Sequence, residues 1–374
     1  MIKFTCLILL LSIQGFQALY AQPKIEKELS YTSDLAFNLS GGHETGSAWL
    51  GCFQAALTFN TEELKLWNNG KFRFAYISTH GNSFSEMTGD MQIVSNIEAG
   101  HLATTLELWY QHNFNRLAMT AGFIDVNAFF SYNQDALSLI NSSFGIQPTI
   151  SGNMPVSIFP VTSFGVVMEY DFDENTSLKF AVFDGTPALY RDYQILPDIN
   201  WNKTDGAFLI SEFSRKYRIS HQTGIVKGGI WAHSQNTKSH QNGTYALNWG
   251  YYLIGDLQVY KSERTRWSIW GKSGGAPLDC NKIRYFNELG VSLVNDSEKN
   301  IVDIISIGIG QAIFCPEFKK INAFQHNEAV IEFTAKKEIG ILGIQPDIQY
   351  IFHPSGSSVV QNPLCIILRT TLTL

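Results

Sequence analysis

Charge and long apolar runs are both scarce in this chain. Asp, Glu, Lys and Arg make up 16% of its 374 residues, against about 25% in average globular chains. A protein of this length wrapped wholly in water carries a fuller charged shell, so part of this surface is expected to meet something other than water. After residue 20 no segment stays apolar for the roughly twenty residues that a membrane-crossing helix needs, which leaves strands as the only way through a bilayer. Cysteine is sparse too: five in all, with no CxxC or comparable ligand spacing, so neither a zinc site nor any other metal or cofactor is expected. The net charge of −6, with both signs interleaved, lacks the basic footprint of a nucleic-acid binder. There is no GxSxG elbow and no HExxH, and His233 with Ser234, or His80 near Ser83, forms no recognised catalytic order, so no catalytic residue is expected.

What is present is alternation. Aromatics reach 13% and glycine counts 30, and from about residue 31 onward apolar and polar residues exchange places every second position between turn-forming clusters. The final segment shows it best: Ile366, Leu368, Leu372 and Leu374 alternate with Arg369, Thr371 and Thr373. Sixteen such segments can be traced, the first near 32–40 and the last 361–374. An even number of strands, short polar turns (113–116, 171–176, 214–218, 261–264, 295–300) and longer connections (80–102, 125–160, 185–205, 233–246, 276–284, 315–325) alternating with them is the organisation of a transmembrane antiparallel β-barrel. At the start, Lys3, the apolar stretch Phe4–Ile13 and the small Ala21 read as a secretory signal over residues 1–21, leaving 22–374 as one barrel domain. Four cysteines then remain, of which Cys280 and Cys315 lie in successive long loops and admit a disulfide.

The alternation assigns faces. It turns Leu106, Leu108 and Tyr110 to lipid and Glu107, Trp109 and Gln111 inward, and it puts Lys71, Arg73, Glu169, Asp256, Gln258, Arg266, Glu288, Glu332, Asp347, Gln349 and Arg369 in the lumen. Trp249, Tyr251 and Trp267 read as girdle anchors at the membrane boundary. Mixed lumen charge disfavours strong ion selectivity, which a ring of one sign would give. The 125–160 connection is long enough to fold into the lumen, with Pro148, Pro155 and Pro160 stiffening it. Arg73, Asp90, Asn96, Glu98 and Glu107 are therefore candidates for a narrow section, joined by Asn127, Tyr132, Asn133 and Asp135 in the longest loop and by Asp347 and Gln349 on the wall. Each could contact a solute, or instead hold a loop to the wall. Asp184, followed by Gly185, reads as a turn cap.

Six stretches resemble the carbohydrate-selective porins of the OprB family: 90–99 (DMQIVSNIEA), 141–160 (NSSFGIQPTISGNMPVSIFP), 182–188 (VFDGTPA), 248–260 (NWGYYLIGDLQVY), 274–277 (GGAP) and 344–354 (IQPDIQYIFHP). Their order and spacing follow the family from roughly residue 30 to the end. The resemblance implies a sixteen-stranded barrel in a Gram-negative outer membrane, passing monosaccharides and small oligosaccharides by facilitated diffusion, with 80–102 and 125–160 narrowing the pore. The partners it implies are the transported sugars, outer-membrane lipid and lipopolysaccharide, and the barrel-insertion machinery; monomer and homo-oligomer both stay open. The chain departs from the family by ending in Leu374 where Phe is usual, by placing Pro346 in a strand, where a bulge or edge is expected, and by Cys280 after the GGAP stretch. Two other readings stand beside the porin: an outer-membrane enzyme, which lacks a catalytic cluster, and a secreted all-β sugar-binding protein, which detergent dependence would exclude.

Overall fold

A strand exposes alternate side chains to opposite faces and leaves unpaired backbone at each edge, so sixteen alternating strands in hydrocarbon are stable only if the sheet closes on itself. The computed structural model describes residues 25–187, 204–219, 222–241, 243–295, 301–322 and 325–374. The expected leader at 1–21, most of the 185–205 loop, residues 296–300 and Asn242 lie outside them. The strands are β1 (Glu26–Gly42), β2 (Gly46–Asn60), β3 (Gly70–His80), β4 (Leu102–Phe114), β5 (Leu117–Ile124), β6 (Ser163–Asp173), β7 (Thr176–Asp184), β8 (Ala207–Ile219), β9 (Gln222–His233), β10 (Thr237–Lys238), β11 (Thr244–Tyr245), β12 (Asn248–Lys261), β13 (Thr265–Gly275), β14 (Ile283–Asn295), β15 (Ile304–Phe314), β16 (Asn327–Ile339), β17 (Leu342–Phe352) and β18 (Gln361–Thr373). All but β10 and β11 form one closed antiparallel barrel, sealed where β1 pairs with β18.

The barrel is inverted relative to a soluble protein. Leu35, Phe37, Ile230, Leu253, Leu289 and Leu368 stand exposed on its outer face, whereas Asp34, Glu332, Gln349 and Arg369 are buried inside. Glycine supports this interior. A Cβ at Gly290 would come within 2.2 Å of the Trp270 ring, and one at Gly229 within 2.1 Å of the Tyr252 ring, so a missing side chain on one strand makes room for a large aromatic on its neighbour. Both aromatics are almost fully buried, beneath a loop that occupies the lumen.

Several expectations are corrected. Leu106 does not face lipid: β4 carries a bulge opposite Ala75 and Tyr76, and the extra residue turns Leu106 inward against Cys52 and Ile77. The turn expected at 214–218 is strand, because β8 continues to Ile219 and β9 starts at Gln222. The 233–246 loop contains the small β10–β11 hairpin. Pro346 is absorbed without a bulge: β17 keeps one register on β16 from Ala329↔Phe352 to Ile339↔Leu342, and the Thr334 hydroxyl donates to the Pro346 carbonyl at 3.3 Å. Cys280 and Cys315 are both free and buried; no disulfide joins them, and the Cys315 thiol instead donates to Glu317 at 2.9 Å.

Candidate solute pathway

Irregular backbone inside a barrel has N–H and C=O groups that neither a strand ladder nor bulk water serves, and each must find a partner. Charged side chains on the inner wall supply those partners here. Glu332 accepts from the amides of Ile140 and Asn141, Glu328 from those of Met91 and Gln92, each at 3.0 Å, and Glu212 from that of Ser131 at 3.0 Å. Lys272 donates to the Gly145 carbonyl at 2.7 Å, Lys227 to that of Tyr132 at 2.9 Å, and Gln345 to that of Ser138 at 2.9 Å. Segments 80–102 and 125–160 are thus held inside the cylinder. The second is shaped by 3₁₀ turns at Val126–Ala128, Ala136–Ser138 and Ser142–Phe144 and by a short helix, Pro148–Ser151.

Six sequence candidates lie within the anchored segments or on the wall that holds them. Gln349 donates to the Val94 carbonyl at 2.9 Å and accepts from Asn141 at 3.1 Å; Asp347, beside it, accepts from Gln349 at 3.1 Å. Both face the lumen as the alternation requires, yet the loops cover them, leaving 0% and 1% of their surfaces exposed. Asp135 is gripped by Arg266 at 2.7 Å. Asp90 accepts from Thr88 at 2.5 Å, and its burial pushes its carboxyl above the usual carboxylate range. Tyr132 lies under the Lys227 ammonium, 3.9 Å from the ring centre, and Asn133 accepts from the Asp135 amide.

Arg73 and Glu107 meet, as adjacent inward positions on β3 and β4 should, at 2.7 Å. A third residue joins them. Glu28 receives both Nη groups of Arg73, at 2.7 and 3.0 Å, so the cluster holds two carboxylates against one guanidinium. It lies towards the short-turn end of the barrel.

The remaining candidates converge on a cleft of about 380 Å³ between the two inward segments, lined by Asn96, Glu98, Asp125, Asn127, Ser142 and Ser151, with Ile93, Leu137, Phe159 and Pro160 among its apolar groups. Asn96 is exposed, and its amide side chain makes no hydrogen bond among the described residues. Glu98 is partly engaged by Ser83 at 2.5 Å, and Asn127 donates to the Phe130 carbonyl at 3.2 Å. Asp125 caps the first 3₁₀ turn by accepting from the Asn127 amide at 2.7 Å and also accepts from the Phe159 amide at 3.3 Å. Burial pushes its carboxyl up to about 7, partly countered by those hydrogen bonds. A wider recess of about 620 Å³ nearer the short-turn end is lined by Lys216, Arg218, Asp256, Gln258, Arg266 and Ser268.

Asp125, Glu28, Ile93 and Leu137 were not expected from the sequence. Asp125 follows β5 by one residue, where strand periodicity has ended, and Glu28 precedes the first segment traced. Ile93 and Leu137 are apolar residues in loops, and only their surroundings mark them.

The comparisons agree with this architecture. No curated protein matches the sequence. Among solved structures, the high-pH structure of Pseudomonas putida OprB superposes with a TM-score of 0.84 at 16% identity, covering 94% of each chain. The low-pH structure of the same protein gives 0.59 at 12% identity, covering 94% of this chain and 92% of that one. The outer-membrane channel DcaP of Acinetobacter baumannii gives 0.57 at 10%, covering 96% and 99%. At such identities these matches speak for the fold. A sequence model described as carbohydrate-selective porin, OprB family, matches residues 44–374, nearly the whole barrel. The chain therefore belongs to the OprB family, a carbohydrate-selective porin of the Gram-negative outer membrane.

Proposed function

We propose that hexose-sized sugars cross through the cleft between the two inward segments, exchanging hydration water for hydrogen bonds with Asn96, Asp125 and Asn127. The observation that carries this is the pairing of an exposed Asn96 side-chain amide, unengaged among the described residues, with partly engaged acceptors around one cleft of about 380 Å³, at the lower end of the volumes that hold small molecules. An amide offers donors and acceptors together, which suits a solute whose hydroxyls are both. Contacts this few keep binding weak enough for exit. Arg73, Glu28 and Glu107 form a mixed-charge patch beyond the cleft, and the anchored carboxylates set its width.

The channel on this reading is passive and performs no catalysis. Residues 1–21 act as a removable leader, the outer wall meets lipid and lipopolysaccharide, and the insertion machinery reads the closing strand despite its terminal Leu374. Sequencing of the mature N-terminus checks the leader. The central test is flux through liposomes containing purified protein, across a size series of neutral sugars and charged solutes of equal size. Monosaccharides should pass fastest, with little discrimination by charge, and Asn96→Ala should lower sugar flux. A trisaccharide passing as fast as glucose would place the limiting section elsewhere.

A further inference from the structure

Ile93 is in the wrong place twice. Its φ is +61°, a left-handed conformation that a β-branched side chain adopts only under constraint. Its side chain is also 40% exposed while its neighbours Gln92 and Val94 are buried. The constraint is visible. The Ile93 carbonyl accepts from the Ser142 backbone N–H at 3.0 Å and the Asn96 backbone N–H donates to the Ile140 carbonyl at 2.9 Å, while Gln92 and Val94 are tied to Glu328 and Gln349 on the wall. The fold would be served as well by glycine, which adopts this φ without strain. What isoleucine adds is an aliphatic surface in the cleft, and Leu137, 45% exposed, adds a second from the other inward segment.

We infer that Ile93 and Leu137 form an aliphatic shelf that makes the passage select pyranose rings over open-chain polyols. This rests on the proposed passage through the cleft. A pyranose presents its hydroxyls mainly around the rim and C–H groups on its faces, so one face can cover the shelf while rim hydroxyls reach Asn96, Asp125 and Asn127. An open-chain polyol of the same size has a hydroxyl on every carbon and no fixed apolar face. It forms the hydrogen bonds but strips less apolar surface from water.

The test is the ratio of glucose to glucitol flux in liposomes, measured beside single-channel conductance in KCl. Wild type should favour glucose. Ile93→Gly removes side chain and strain together, so folding is not at risk. Ile93→Asn and Leu137→Asn retain bulk while making the shelf polar, and Asn tolerates the left-handed region. The ratio should fall about threefold or more in each variant, a fraction of the discrimination a full apolar contact supplies, with the KCl conductance read beside it reporting any change in width. If Ile93 merely narrows the hole, Ile93→Gly will raise both fluxes and leave their ratio unchanged, and the shelf is overturned. Equal passage of glucose and glucitol by wild type also overturns it while leaving the sugar passage standing. A wild type that passes no neutral sugar defeats the passage itself.

Discussion

Asp125 carries its carboxyl at about 7 because burial disfavours the charged form, where an ordinary Asp titrates near ~3.9. Its charge therefore changes within the working pH range: neutral well below 7, negative well above. Cation preference should rise as pH increases through 7, read as a shift in reversal potential under a KCl gradient between pH 5.5 and 8.5, and Asp125→Asn should flatten that response. Glu107 behaves differently. Alternation alone pairs it with Arg73 as a neutral couple, so Glu107→Gln would leave a bare cation. Glu28 changes the sum, because Arg73 stays bidentate to it. Glu107→Gln should thus move ion preference only slightly towards anions, whereas the Glu28→Gln, Glu107→Gln double variant should move it strongly. Both shifts should shrink in molar salt, where the Debye length is about 3 Å. The inward direction of Arg73 and Glu107 was legible because strand period is strict. The partnership with Glu28 was not, because the first strand starts earlier than its clear alternation.

The inward segments are held mainly through their backbones. Glu332 accepts two adjacent loop amides, a geometry that two carboxylate oxygens satisfy and one amide oxygen does not. Glu332→Gln should loosen the segment slightly, and Glu332→Ala should orphan both amides, at about 1–3 kcal/mol for each buried group left unpaired. Expected in single-channel recordings are a noisier, larger conductance for the Ala variant and an intermediate one for Gln. Unchanged traces in both would mean that the other anchors, among them Lys272 on Gly145, Gln345 on Ser138, Glu212 on Ser131 and Lys227 on Tyr132, suffice without Glu332. Length and prolines made the inward course of 125–160 readable. The anchors were not readable, since a side chain that binds a loop's backbone imposes no residue type on the loop and leaves no pattern there. The bulge at Leu106 escaped for a related reason: one added residue reverses the face assignment beyond it without altering composition.

At the scale of the whole molecule, the outer band of Leu, Ile, Phe and Tyr is far larger than a soluble monomer tolerates, so the protein should require detergent for extraction and migrate on gels in a heat-modifiable way. Closure was legible from the terminal alternation of 365–374. Its interior reinforcement was not, since it joins residues more than three hundred positions apart. Where β1 meets β18, Asp34 takes Arg369 through two bonds of 2.8 Å, and Ser95 of the first inward segment donates to the same Asp34 carboxylate at 2.7 Å. One buried pair therefore ties the barrel seam to a loop that narrows the pore. Removing one partner leaves the other charge buried and uncompensated, at about 3–5 kcal/mol, whereas replacing both by apolar residues of similar size can be nearly neutral. Asp34→Leu and Arg369→Met should each lower the temperature at which the compact gel band is lost, and the double variant should recover most of that fall. Its stability recovered, the double variant should still conduct more than wild type, because Ser95 has lost its acceptor and the first segment one of its anchors. If the double variant melts as low as the two singles combined, the pair stabilises the seam by its attraction alone, and the burial of opposite charges there is not offset in the way its geometry implies.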